Sequence, residues 1–323
     1  MAATGSVVAA TTATINHYVT TDWADNIFRN FALLWKVKKT NAPVAITGGE
    51  TLIAPIMYGK NTTAGSMGAY DPVPLTAQTG LGHCAVDWKQ LSTSVVLDKA
   101  TMARNAGPDA KLSILKGKMK QAEMSLQDAM VTQLFSDGTG NGGLDITGIR
   151  LMCGTTSTYA GLAGSGTYSW WSAVVDTTSE ALKINGGTSS MEYIYQTCAQ
   201  GQGKASFPDI GCTTLSLYQS YIGQLQPQQR FEDKEMADAG FANVMFHGMP
   251  IVWDNACTAT YFYMLNSNFL NFCAHTSMGA NGFKVEAPLE NPGAQLVRAW
   301  IIWWYGNLIT NCRRAHGLLT TKT

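Results

Sequence analysis

The chain has 323 residues, 46% of them hydrophobic, and its 22 Lys and Arg balance 22 Asp and Glu; it can bury one large core or two ordinary ones, and it lacks the basic excess of a nucleic-acid binder. Only 14% of residues are charged, against roughly 25% in an ordinary soluble domain. The surface is therefore built from Thr, Ser, Asn, Gln and Gly or covered by partners, as in a subunit whose surface is mostly interface.

No Lys/Arg run exceeds the pairs Lys38-Lys39 and Arg313-Arg314, which read as solvated pairs. Seven cysteines (Cys84, Cys153, Cys198, Cys212, Cys257, Cys273, Cys312) are scattered, odd in number and never spaced C-x-x-C, which argues against a disulfide framework and a zinc site. They read as small buried apolar residues in a reducing compartment. The N-terminus has no basic region before its small-residue run and is not a signal peptide. The most apolar stretch, Ala299 to Tyr305, is too short to span a bilayer.

Met1 to Ile15 is small and polar without apolar periodicity and reads as an extended or disordered arm. A short helix follows over Trp23 to Leu34, with Asp22 as N-cap and Trp23, Ile27, Phe31 and Leu34 at helical spacing. Thr51 to Tyr58 and Ala85 to Leu97 read as strands. Pro55 keeps the first out of a sheet centre, so it belongs to an edge or a free-standing ribbon. Between them lies GKNTTAGSMGAYDPVPLTAQTGLGH, too long and too polar for an ordinary connection. It reads as a surface hairpin or an arm ordered on a neighbour.

A helix is expected over Asp109 to Phe135, with Pro108 and Asp109 in its first turn. Leu112, Leu115, Met119, Ala122, Leu126 and Ala129 form one apolar stripe. Such a helix is ~40 Å long at ~1.5 Å per residue. Gly117 weakens it by ~1 kcal/mol against Ala, and SDGTGNGG stops it. Beyond it, helices are expected over Ser190 to Gln200 and Leu217 to Leu225. Short strands are expected over Asp209 to Leu215, Asn243 to Phe246, Pro250 to Trp253 and Thr260 to Leu265. Ala294 to Asn311 is a long aromatic and β-branched strand, apolar on both faces and hence covered on both sides in part.

Catalytic signatures are missing. There is no G-x-x-x-x-G-K-[ST], H-E-x-x-H or G-x-S-x-G. Gly161 to Gly166 (GLAGSG) reads as a flexible loop, and Asp137 to Gly143 lacks the acidic ligands of a calcium loop. His17, His83, His247, His275 and His316 are dispersed; His275, close after Cys273, reads as ordinary packing. Nine tryptophans raise the possibility of a glycan-binding protein, but Trp300, Trp303 and Trp304 sit in the strongest strand pattern, where burial is the readier use. No catalytic residue, cofactor or metal site is read.

The order of elements, with the stretches GGETLIAPIMYGKN, KMKQAEMSLQDAM before SDGTGN, LQPQQRFEDKEMADAGF before GMPIVWD, YMLNSNFL and GNLITNCRRAHGLL, resembles the major capsid proteins of tailed double-stranded DNA phages. The resemblance covers most of the chain. It implies an α+β chain with the Hong Kong 97-type capsid fold. By resemblance, residues 1–47 are the N-terminal arm and 48–106 the extended E-loop hairpin. Residues 107–185 are the P domain with its spine helix at about 109–135, and 186–282 the A domain. Residues 283–308 are the P-domain return strand, and 309–323 a C-terminal segment returning toward the A domain.

The implied function is self-assembly as pentamers and hexamers into an icosahedral head shell around packaged double-stranded DNA, not enzymatic. The chain would sit in the virion, and in host cytoplasm during assembly, with no membrane association. The implied E-loop tip interface comprises Gly59, Lys60, Asn61, Tyr70, Asp71, Pro72 and Gly80. The implied partners are further copies of the chain, a portal protein, DNA bound without sequence specificity, and a separate scaffolding protein, since the arm is too short for a fused scaffold. Lys60 has no identifiable isopeptide acceptor, so no cross-links are expected. Alternatives are an encapsulin-like compartment shell, a Trp-rich glycan-binding protein and a tail-tube protein; the length and the spine-like helix argue against the last.

Overall fold

The computed structural model describes residues 32–40, 44–104, 114–199, 206–225, 244–278 and 283–323. In chain order the elements are α1 (Ala32–Thr40), β1 (Val44–Ile46), β2 (Thr51–Met57), β3 (Leu81–Asp87), β4 (Lys89–Asp98), α2 (Lys99–Arg104), α3 (Ile114–Leu134), α4 (Ile149–Met152), β5 (Thr158–Tyr159), β6 (Leu162–Ala163), β7 (Val174–Asp176), α5 (Met191–Cys198), β8 (Ile210–Thr213), α6 (Leu215–Leu225), β9 (Val244–Phe246), β10 (Met249–Trp253), β11 (Phe262–Leu265), β12 (Leu270–His275), β13 (Lys284–Val285), β14 (Leu289–Glu290), β15 (Val297–Thr310) and β16 (Gly317–Leu319). A helical turn at Gly140–Gly143, with Asn141 and Gly142 left-handed, and short 3₁₀ turns are the remaining elements of the described chain.

Strand β15 organises the first six-stranded sheet. It pairs antiparallel with β4 along one side, and with β14, β13 and β12 in turn along the other, while β1 adds in parallel to β12. Antiparallel partners share a face, so Trp300, Ile302 and Trp304 lie with Val95, Thr93 and Leu91 toward the core. Trp304 stacks on Phe272 at 5.2 Å. Gly306 is obligatory beside them: a Cβ there would meet Cys273 O at 2.2 Å and the Trp304 ring at 2.5 Å.

The second sheet has the order β7-β16-β11-β8-β10-β9. All four residues of β11 are buried, and they alternate between two cores. Tyr263 and Leu265 join the core shared with the first sheet, while Phe262 and Met264 join a second core with α5 and α6. The two-residue period of a strand produces this division. Ser190 caps α5 by accepting from Tyr193 N.

Several expectations shift. The Trp23 to Leu34 helix lies outside the described residues up to Phe31; the described helix is Ala32–Thr40. The strand read over Ala85 to Leu97 is two strands broken at Trp88, because the chain changes partners there, from β2 to β15. Trp88 stacks on Tyr305 at 4.9 Å and donates to Gly49 O at 2.9 Å, which fixes the corner. Gly161 is not in a loose loop. It forms, with Ala160, the turn of the β5–β6 hairpin, both residues having positive φ as a tight hairpin requires.

Candidate assembly surface

Strands β2 and β3 form a two-stranded ribbon from Thr51↔Asp87 to Met57↔Leu81. Pro55 is tolerated because each strand has one open edge. The alternation is amphipathic. Leu52, Ala54, Ile56, Cys84 and Val86 are buried, whereas Ile53, Met57 and Leu81 are exposed. The ribbon is anchored at its inner end, where Ala85 N donates to Ala160 O, and at its outer end by the stack of Tyr58 on Trp170, centroids 5.0 Å apart.

Beyond the ribbon the two segments come close together at a neck. Tyr58 N and Gly59 N both donate to Gly80 O, and a Cβ on either glycine would come within 2.9 Å of the other's backbone. Gly59 and Gly80, read from sequence as tip contacts, thus face each other at the neck. Of the other residues read there, Lys60 and Pro72 are exposed. Asn61 Oδ1 accepts from Thr63 N and Oγ1, and Asp71 Oδ2 accepts from Gly68 N, so both shape turns. Tyr70 is wholly exposed and Leu75 is 94% exposed, with Met67 and Val73 also bare. A soluble chain rarely carries so many large apolar side chains on one projection unless it docks.

On α3, Ala122 and Leu126 are buried, and Leu115 and Met119 pack half-buried against the core. Leu112 lies outside the described residues. Ala129 is exposed and lines a cleft, which corrects its place on the packing stripe. Rows of i+4 advance about 40° per step on a 3.6-residue helix, so the contact line moves from Ala122 and Leu126 to Met130 and Leu134 and leaves Ala129 behind.

No catalytic constellation emerges among the described residues. His275 Nδ1 meets Ser277 Oγ at 2.7 Å, an exposed contact within one turn. Among the described residues no group of three or more His, Cys, Asp or Glu is placed to hold a metal ion.

No family model matches the sequence, and no curated protein matches it. Solved structures do. The capsid asymmetric unit of cyanophage A-1(L) is 15% identical, with TM-score 0.74, over 95% of this chain and 97% of that one. The capsid of a native GTA particle is 13% identical, with TM-score 0.60, over 98% and 99%. An SrpI encapsulin from Synechococcus elongatus PCC 7942 is 9% identical, also with TM-score 0.60, over 98% and 95%.

The chain has the Hong Kong 97-type capsid fold.

In this capsid fold three side chains that the sequence reading missed tie the C-terminal segment to the rest of the structure. Arg313, read as half of a solvated pair, is fully buried. Its guanidinium donates to Met152 O (2.8 Å), Ser157 O (3.1 Å), Trp171 O (3.0 Å), Leu151 O (3.2 Å), Gly154 O (2.6 Å) and Ser157 Oγ (3.0 Å). Guanidinium presents five N–H groups in a fixed fork, which suits it to knot one loop's carbonyls. Lys322 is also buried, its Nζ 2.7 Å from Asp176 Oδ2 and 3.0 Å from Thr178 O.

His316 lies where the chain passes from β15 to β16. Its Nδ1 accepts from Asn266 N at 3.3 Å, so Nε2 carries the proton toward Thr310 Oγ1, 3.1 Å away. Burial, and then Arg313, drive its pKa down to about 3. The only sequence signal for these three was their place among apolar residues near the C-terminus.

Proposed function

We propose that this chain is a major capsid protein of a tailed double-stranded DNA phage, assembling as pentamers and hexamers into an icosahedral head. The observation that carries the reading is the exposed, apolar, glycine-necked projection on a capsid-type fold. Each contact made by such a projection is weak, but it repeats around closed symmetry, so avidity stabilises the whole. Ordering the loop on a neighbour couples part of folding to assembly.

In this reading the first sheet with α3 is the P domain and the second sheet with α5 and α6 the A domain, so β12, which lies within the 186–282 assigned to the A domain from sequence, pairs instead in the P-domain sheet. Gly59 to Gly80 is the tip of the E-loop hairpin, and Leu115, Met119, Ala122 and Leu126 form the packing face of the spine helix. A neutral chain need not neutralise DNA itself, because packaging into a finished shell supplies that work. A separate scaffolding protein and a portal are its partners in assembly. Absence of cross-linking at Lys60 is part of the same reading: mature particles run as monomers on a denaturing gel, and a ladder of multimers would contradict it.

The encapsulin likeness supports a second reading, a shell around protein cargo. Analysis of particle contents separates the two. Nuclease-protected double-stranded DNA in native particles is the expected result; a defined protein cargo without DNA would favour the compartment reading.

A further inference from the structure

Strand β4 is an edge. Its ten residues pair with β15 on one side and, among the described residues, with no strand on the other. Beside its first half, Lys89 to Ser92, an open cleft of about 690 Å³ separates it from α3, where Leu126, Ala129 and Gln133 form the facing wall. An open strand edge presents unpaired N–H and C=O groups and is a template for another extended segment. The cleft is nearly neutral. Its charged side chains are Lys89 and Asp145, and Lys89 Nζ is already engaged by Gly143 O at 2.5 Å. An uncharged occupant would bury no unpaired charge there.

The projecting loop contains such a segment. Residues Pro72 to Gln78 read PVPLTAQ, without a charge. They make no backbone–backbone hydrogen bond and contain no residue with positive φ. In an extended chain successive N–H groups point alternately to two sides. Pro72 and Pro74 fall on the same side and have no N–H, so that side cannot form a ladder. Val73, Leu75 and Ala77 keep a complete row of donors and acceptors on the other. The segment is a strand with one usable edge. Its apolar side chains stand bare, Leu75 at 94% and Val73 at 60% exposure.

Its own β4 does not receive it: β4 pairs with β15 alone among the described strands. The seven-residue ribbon of β2 and β3 carries the loop about 24 Å from the corner at Trp88 where β4 begins.

We propose that residues 72–78 of one copy add as a strand to the free edge of β4 in a second copy, seated in the cleft against α3. The inference rests on the shell reading above and names the surface that receives the loop.

Two proline variants test it. Thr76→Pro extends the edge that Pro72 and Pro74 already block, whereas Ala77→Pro removes a donor from the pairing edge. Both positions are exposed in the loop, so the fold itself tolerates either, as matching circular dichroism and melting curves would show. The expected result is that T76P gives shells within about twofold of wild-type yield while A77P lowers the yield at least about tenfold, since proline is excluded where a ladder needs its N–H. Ala77→Cys combined with Gln90→Cys or Ser92→Cys should give intermolecular disulfides in assembled particles, and none with either single variant. Equal yields for T76P and A77P, with no cross-link in either pair, would overturn the proposal while leaving the shell reading intact. Wild-type protein that forms no shell under any condition would remove both.

Discussion

Arg313 has no carboxylate partner among the described residues, only oxygens of the chain between Leu151 and Trp171 and the face of Tyr159, 5.4 Å from the guanidinium. Leu151 O, Ser157 O and Gly154 O also accept from Gly154 N, Gly164 N and Ala173 N, so truncation leaves Met152 O and Trp171 O to find other donors, and each unsatisfied buried group costs roughly 1–3 kcal/mol. Arg313→Ala is therefore expected to lower unfolding free energy by at least ~2 kcal/mol in denaturant titration of the purified protein; a loss below ~1 kcal/mol would show that water replaces the guanidinium. His316 sets a pH dependence. Its pKa falls from an ordinary 6.5 to about 3 on folding, so the unfolded chain takes up the proton first. Stability is complete above about pH 6.5 and declines as pH falls toward 3. Asp176 acts in the same direction: burial works to raise it, but the bonds from Lys322 and Thr178 outweigh burial and hold it below its ordinary value. Wild-type stability should fall steadily between pH 6.5 and 4, and His316→Gln should flatten that slope; an unchanged slope would assign the acid sensitivity to carboxylates alone. The thiols carry a third expectation. All seven cysteines are free, and burial raises Cys84 to about 11 and Cys153 to about 12. Native protein should resist alkylation at neutral pH and react fully only after denaturation, because the thiolate is the nucleophile.

At the scale of elements, the tightest test is Gly306, whose neighbours are main chain and an indole that cannot withdraw. Gly306→Ala should cost at least ~2 kcal/mol, the range of core overpacking, with loss of the near-ultraviolet signal of the Trp304–Phe272 stack; a neutral result would mean that β12 and β15 can separate locally. The elements that periodicity exposes were legible in the sequence: the ribbon strand at Thr51, helix α3, helices α5 and α6, and the fourteen-residue β15. What was not legible depended on long-range partners. The break at Trp88 exists because β3 and β4 pair with strands far apart in sequence. Ala129 leaves the packing stripe because the contact line rotates toward Met130 and Leu134, and only the position of the sheet decides which residue of the stripe is left beside the cleft. The Ala160–Gly161 turn was hidden by strands of only two residues each. Arg313, His316 and Lys322 were missed for a related reason. Charge alone places such residues at the surface, and only the assembled carbonyls and carboxylates around them make burial favourable.

For the whole molecule, low charge density, an exposed apolar projection and a fold matched over nearly its full length by capsid structures all bear on one property, association with copies of itself. Sequence identity with those structures is at most 15% among those described above, so the fold persists through the pattern of burial and pairing. The loop's apolar side chains are exposed in the isolated chain, and in the proposed shell they gain stabilising value only when a neighbour covers them. The most direct measurement is the light-scattering mass of the purified full chain, with and without a candidate scaffolding protein, taken with negative-stain images of the same samples. Closed shells, or free pentamers and hexamers, are the predicted result. A clean monomer under both conditions would contradict the account.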